Sequence, residues 1–269
     1  MSAIWRLLID DGLADGAHNM ALDRAVQLAR QAGEVPPTLR LYRWVRPTVT
    51  LGRFQPVDGV NRELCARQRI DVVRRFTGGR GVLHDDELTY SIVAGVEDGV
   101  PRGTSASYRL LCSALAETYR LLGVDAALTA RRRGDSASAA CYLHATPADL
   151  SLGLAKLSGS AQVWTADTVL QHGSFTRSRD IEREAAVFRL SPQDSARLVA
   201  ETTTLADALG EAPPLDAIVQ AAVQGVEHAM GVRLEPGEVS AGEIERAQGL
   251  LGETSADVVP AKARSSGSG

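Results

Sequence analysis

Hydrophobic spacing along the chain switches repeatedly between two periods. From Asn19 to Arg30 the apolar residues fall at Met20, Leu22, Ala25, Val26, Leu28 and Ala29, with Gly33 just beyond. Spacings of three and four residues closed by a glycine predict an amphipathic helix. Thr38–Trp44 and Thr48–Phe54 instead alternate apolar with polar residues about Arg46-Pro47, the pattern of two strands joined by a turn. Val60–Gln68 predicts a short helix feeding a strand at Ile70–Arg74, and Leu88–Val93 predicts another strand. A long helix follows Thr104 and Ser105, with Tyr108, Leu111, Cys112, Leu115, Tyr119 and Leu122 on one buried face and Gly123 as its stop.

Beyond this helix, residues 131–139 (Arg-Arg-Arg-Gly-Asp-Ser-Ala-Ser-Ala) have the composition of a flexible loop. Leu154–Trp164 and Thr168–Phe175 predict two more strands. From Pro192 onward the pattern is helical, most clearly over Pro214–Met230, where Leu215, Ile218, Val219, Ala222 and Val226 recur at helical spacing before Gly231. The end, Ala261 to Gly269, is linker-like. Strands mixed with helices, hairpin-like joins and a late helical segment predict an α+β protein. The expected division is a domain over 1–190, a C-terminal helical extension over 191–250 packed on it, and a disordered tail over 251–269.

Composition narrows the function classes. A chain of 269 residues with 44% hydrophobic and 23% charged residues can bury an ordinary core without disulfides or metals. Its net charge of −4 supplies no global basic field for nucleic acid. Arg131-Arg132-Arg133 reads as a solvated loop, or as a local patch for an acidic protein. Three irregularly spaced cysteines argue against a disulfide framework and for a reducing compartment. The start, Met-Ser-Ala-Ile-Trp-Arg followed by Asp10-Asp11, does not read as a signal peptide, and no apolar run is long enough to span a bilayer. A cytoplasmic location, with no membrane or nucleic-acid partner, is the expectation.

Chemistry concentrates in Arg74-Arg75-Phe76-Thr77-Gly78-Gly79-Arg80-Gly81-Val82-Leu83-His84. A glycine pair removes two Cβ atoms and permits positive φ, so backbone can lie against a ligand, with Arg74, Arg75 and His84 around it. The run is neither a Walker phosphate loop nor a dinucleotide fingerprint. By itself it is equally a tight hairpin turn carrying solvated arginines.

This run, followed by Leu88-Thr89-Tyr90-Ser91, resembles the signature of the lipoate–protein ligase / octanoyltransferase family. Asn19-Met20-Ala21-Leu22-Asp23, Pro37 to Tyr42, Leu51 to Gln55, Lys156 to Gln162 and Leu170 to Ser174 are similar to the family's motifs and stand in its order. The resemblance runs from about Trp5 to about Gly249 and implies the biotin/lipoyl ligase fold, a mixed sheet flanked by helices. The chain departs from the family at Arg24, over Thr176–Asp180 and at its carboxy-terminal end.

Two activities share these motifs. A lipoate–protein ligase activates a free carboxylate with ATP. An octanoyltransferase takes octanoyl from acyl carrier protein, holds it on a cysteine and passes it to a lysine of a lipoyl-accepting protein, such as the glycine-cleavage H protein or a lipoyl domain. Cys141, in Ala139-Ala140-Cys141-Tyr142 and fifteen positions before Lys156, resembles the catalytic cysteine of the cysteine-dependent octanoyltransferases. The ligases' Gly-Arg-Asn-Asp motif has no match here. The resemblance therefore implies Cys141 and Lys156 as catalytic residues, with no cofactor and no metal. An ammonium beside a thiol favours the thiolate and can donate to the acyl oxygen. The implied substrate-binding residues are Arg74, Arg75, Gly78, Gly79, His84, Gly159, Ser160 and His172. A tunnel backed by Gly78 and Gly79 would take an eight-carbon chain, each buried methylene contributing about 0.8 kcal/mol. Arg74 and Arg75 would meet a phosphate or the carrier's acidic surface. His144 has no family counterpart, and Cys65 and Cys112 read as packing residues. The open alternatives are an ATP-dependent ligase, a cysteine-dependent lipoyl amidotransferase and a non-catalytic acyl-binding relative.

Overall fold

Residues 2–128, 138–143 and 149–260, the side chains of 11–13 excepted, are described by the computed structural model. Arg131-Arg132-Arg133, His144 and the 261–269 tail lie outside them. The first half comprises β1 (Ala3–Ala14), α1 (Gly16–Gln31), β2 (Thr38–Trp44), β3 (Thr48–Leu51), α2 (Arg62–Arg67), β4 (Asp71–Arg74), β5 (Val82–His84), β6 (Glu87–Gly95) and α3 (Thr104–Leu121). Then come β7 (Ala127–Leu128), β8 (Leu150–Leu152), β9 (Ala155–Ser158), β10 (Ser160–Thr165) and β11 (Thr168–Thr176). The last part holds α4 (Ile181–Val187), α5 (Pro192–Glu201), α6 (Leu205–Leu209), α7 (Leu215–Met230), β12 (Val232–Pro236) and α8 (Ala241–Leu250).

The main sheet is mixed, in the order β10-β11-β6-β2-β1-β12, with β1 parallel to both of its neighbours and the other pairs antiparallel. Two small sheets, β4-β3-β5 and β7-β8-β9, stand beside it. Successive strand residues face opposite sides of a sheet. Leu39 and Leu41 of β2, with Tyr90, Ile92 and Ala94 of β6, pack with Leu111 and Leu115 of α3 and Ile218 and Val226 of α7. This face holds the main apolar core. At the α3–α7 contact a Cβ on Gly225 would lie 2.5 Å from Thr118 Oγ1, so the close approach needs a glycine. The intervening residues Arg40, Tyr42, Thr89, Ser91, His172 and Ser174 face the side covered by α1, and this buried layer is polar. Asp15 caps α1, its carboxylate accepting from His18 N at 2.9 Å.

Three expectations are corrected. The segment after 191 is not a helical extension alone: β12 pairs in parallel with β1, Trp5 opposite Leu234, and completes the main sheet. Residues 251–260 are not a loose tail. Thr254 and Ala256 are buried, and Arg74 donates to the Ala256 carbonyl at 2.6 Å. The strand expected over Leu154–Trp164 is two strands in two sheets, because the chain crosses at Gly159 from β9 in the small sheet to β10 in the main one.

Candidate active site

A cavity of about 560 Å³, its mouth included, lies against the polar face of the main sheet. It brings together residues far apart in sequence: Met20 from α1, Tyr42 and Trp44 from β2, Arg75 and Gly79, His84 from β5, Cys141, and Lys156, Gly159 and Ser160 about the sheet crossing. Its surface is mixed, with apolar side chains from α1 and β2 and polar groups around Cys141 and Lys156.

Cys141 begins a short turn of 3₁₀ helix, Cys141–Leu143, and its thiol is free. Two backbone hydrogen bonds tie it to the glycine run: Gly81 N donates to Ala139 O at 2.9 Å, and Cys141 N donates to Gly81 O at 2.8 Å. Lys156 is only 4% exposed. Its Nζ lies 3.0 Å from Asp149 Oδ2 and donates to the Cys141 carbonyl at 3.3 Å. Burial alone would push this amine down, but the charges of Cys141 and Asp149 outweigh it and hold the ammonium above the ordinary lysine range. A Cβ on Gly159 would sit 3.2 Å from Lys156 Nζ, so the glycine leaves the amine its space. Ser160 accepts at its carbonyl from Tyr108 Oη and shares a 2.6 Å hydrogen bond through its hydroxyl with Tyr90.

The other two cysteines lie apart from the cavity wall. Burial pushes the Cys112 thiol up to about 12, with Asp149 adding to the effect, and burial also raises that of Cys65. Neither has the electropositive, accessible setting that makes a thiol reactive.

The two histidines occupy matching positions. His172 Nδ1 is 2.9 Å from Asp23 Oδ2 and its Nε2 is 2.7 Å from Thr77 Oγ1. His84 Nδ1 is 2.7 Å from Glu87 Oε1 and its Nε2 is 2.9 Å from Thr50 Oγ1. Carboxylates only accept, so each ring donates from Nδ1, and the neutral His172 that burial favours accepts at Nε2 from the Thr77 hydroxyl. Burial pushes His172 below the ordinary histidine value even though Asp23 pulls the other way. Asp23 accepts in addition from Arg40, Tyr42 and Ser91. Burial opposes its charge, but the His172 hydrogen bond and Arg40 hold it below the usual carboxylate range. Glu87 is likewise held low against burial, by the His84 ring and by hydrogen bonds from Ser174 and Thr89.

The arginines depart from expectation. Arg74 is 1% exposed and donates to the carbonyls of Gly52, Gln55 and Ala256, away from the cavity wall. It ties β4 to the loop that follows β3 and to Ala256, and it does not line the cavity. Arg75 lines the cavity, but its donors are taken up by protein oxygens. Gly79 lines the cavity with φ of +94°, where a side chain would be strained and would run into Arg75. Gly78 faces a neighbouring, more open hollow with Phe54, Pro56 and Arg80 and does not line the cavity.

Sequence reasoning passed over Asp149, Glu87, Thr50 and Thr77 as site residues. Asp149 stands seven positions before Lys156 with no periodic signal of its own, and the two meet because β8 and β9 are paired. Asp23 was visible only as part of a motif. Among the described residues no group of three or more His, Cys, Asp and Glu could hold a metal ion, and no helix is long and apolar enough to cross a membrane.

Comparison with known proteins gives this geometry a setting. The model of the lipoyl protein ligase A/B catalytic domain matches residues 15–227. Octanoyltransferase LipM of Kyrpidia tusciae is 38% identical over 267 residues, covering 94% of this chain and 97% of the relative. Octanoyltransferase LipM of Symbiobacterium thermophilum is 37% identical, covering 93% and 95%. Among solved structures, the T. acidophilum protein Ta0514, a putative lipoate protein ligase with bound lipoic acid, superposes with a TM-score of 0.75 at 21% identity, covering 94% of this chain and 96% of that one. It shares the fold.

Proposed function

Since the chain belongs to the lipoyl protein ligase A/B catalytic family, we propose that it is an octanoyltransferase of lipoate biosynthesis. In this reading Cys141 carries the acyl group from octanoyl-acyl carrier protein to a lysine of a lipoyl-accepting protein. The observation that carries it is the meeting of Cys141 and Lys156 on one cavity wall, with the lysine amine 3.3 Å from the Cys141 carbonyl and anchored by Asp149.

The chemistry is two thioester substitutions in sequence. The Cys141 thiolate attacks the donor's thioester carbonyl carbon, the carbon–sulfur bond to the donor breaks, and the donor leaves as a thiolate that takes up a proton. The acceptor lysine, as a neutral amine, then attacks the Cys141 thioester. The Cys141 thiolate leaves, and the new amide nitrogen loses its proton to solvent. The Lys156 ammonium supports both steps: it favours the Cys141 thiolate as nucleophile in the first and as leaving group in the second, and it offers a donor to the tetrahedral oxyanion. Met20, Tyr42 and Trp44 supply apolar wall for the octanoyl chain.

Intact mass after incubation with octanoyl-acyl carrier protein, without ATP, tests this. The expected result is one added octanoyl group, absent in Cys141→Ala, that is lost when a lipoyl domain is added. No adduct, combined with ATP-dependent modification of the acceptor, would make the chain a ligase. Loading from an octanoylated protein but not from the carrier would make it an amidotransferase.

A further inference from the structure

Arg75 is 4% exposed, yet it stands where three separate structures converge. Its Nε donates to Thr77 Oγ1 at 3.1 Å, and Thr77 leads through His172 to Asp23. Its Nη1 donates to Thr50 Oγ1 at 3.2 Å and to Thr50 O at 3.0 Å, and Thr50 leads through His84 to Glu87. Its Nη2 donates to the carbonyls of Gly78 at 2.7 Å and Arg80 at 2.8 Å. A guanidinium has five N–H groups, and these contacts occupy all of them. None remains for a substrate phosphate or carboxylate.

The glycine run held in this way leads directly to the thiol. Arg80, whose carbonyl Arg75 holds, is followed by Gly81, which exchanges two backbone hydrogen bonds with the Ala139–Cys141 segment. Arg75 therefore fixes one side of the frame that sets where Cys141 stands, and its side chain lines the same cavity as Cys141 and Lys156. Each threonine accepts from Arg75 and is hydrogen-bonded to a histidine whose other nitrogen is anchored on a buried carboxylate. The guanidinium is thus orientated from two sides by groups with no freedom to turn.

We infer that Arg75 is a positioning residue for Cys141, not a substrate clamp: it shapes the 77–81 backbone against the nucleophile and adds a second fixed positive charge to the cavity wall. This inference rests on the reading of Cys141 as the acyl carrier. The charged or titratable groups that share the cavity with the thiol are Lys156, Arg75, His84, His172, Tyr42 and Tyr142, and Tyr108 is close enough to interact with it. Burial pushes the Arg75 guanidinium down while Cys141 pushes it back up, as expected of two groups that feel each other's charge. A small misplacement of a reacting group can cost about 10²-fold in rate, so a frame of this kind has a measurable effect.

The test uses the full chain with Arg75→Lys, which keeps charge but loses the fork, and Arg75→Gln, which loses both. Two readouts are needed: the rate at which iodoacetamide alkylates Cys141, and kcat and KM for octanoyl transfer. In Arg75→Gln the alkylation rate at pH 7 should fall about tenfold or more, and the gap should close near pH 10, where thiols ionise without help. In both variants kcat should fall about tenfold or more with KM for the donor within about twofold, because no donor group reached the substrate. A rise in KM at unchanged kcat, or a wild-type alkylation rate in folded Arg75→Gln, overturns the inference. Should Arg75→Gln fail to fold, Thr77→Val serves in its place. It removes the Nε partner and the His172 link, and it must still slow alkylation at pH 7; a wild-type rate there likewise overturns the inference. Alkylation needs no acyl donor, so this result stands apart from whether the chain transfers octanoyl at all.

Discussion

Asp149 Oδ2 and Lys156 Nζ lie 3.0 Å apart, and each side chain is only 4% exposed. An ion pair that deep is costly to break from one side, because the remaining charge stays buried without its partner. Asp149→Asn should therefore lower unfolding stability by about 3 kcal/mol and slow acyl loading of Cys141. The pH dependence has a definite sign. The amine is raised in the folded state, so the pair's contribution is complete below the ordinary lysine value of about 10.4 and is lost as pH rises through the folded value. Denaturant melts from pH 9 to 12 should show this alkaline loss in the wild type, beginning above about 10.4, and a smaller one in the variant. Equal curves would remove the pair from the account.

Lys156→Ala should leave a folded protein that loads slowly. Removing one preorganised donor from a developing oxyanion costs about 10²-fold to 10³-fold in rate. Single-turnover loading followed by mass spectrometry measures this, and a rate within twofold of wild type would contradict the role given to the ammonium.

Asp23 and His172 make stability fall on acidification in two windows. Below about pH 6.5 the unfolded chain takes up a proton that the buried His172 ring resists, so stability declines there first. Asp23, held low, contributes stability that is present above about 3.9 and is lost as pH falls through its folded value. His172→Gln should abolish the first decline. Asp23→Asn should be less stable at neutral pH, with the gap to wild type narrowing below about pH 4. Thermal melts from pH 3 to 8 check both, and parallel curves for all three proteins would refute them.

Gly225→Ala should destabilise by about 1–3 kcal/mol, since its methyl group would press on Thr118 across the α3–α7 contact. That contact lies on the apolar face of the sheet, so transfer per folded molecule should be unchanged. A variant as stable as wild type would mean the two helices separate freely at this point.

Local rules recover much of the architecture. The α1, α3 and α7 stripes and the β2, β6 and β11 alternations are local properties, and the structure contains each of these elements. β12 is short, with only Leu234 buried among its residues, so it reads as a loop after α7. Its Val-Arg-Leu-Glu alternation after Gly231 was the available signal. The break at Gly159 was hidden because both halves are strands, and only sheet membership tells them apart. Arg74 and Arg75 are adjacent and chemically identical, and neither spacing nor charge shows that one points into carbonyls behind the sheet while the other borders the cavity. Asp149 and Glu87 acquire their partners through strand pairing, which composition does not reveal.

Parallel pairing of β12 with β1 brings the two halves of the polypeptide into a single ladder. A version of the protein cut after Met230 would keep every residue of the cavity, yet it would leave Trp5 and its neighbours on a bare hydrogen-bonding rim. Such a rim invites strands from other molecules to dock. A shortened form intended as a minimal catalyst would accordingly be prone to aggregation, and any trimming should begin beyond Pro260.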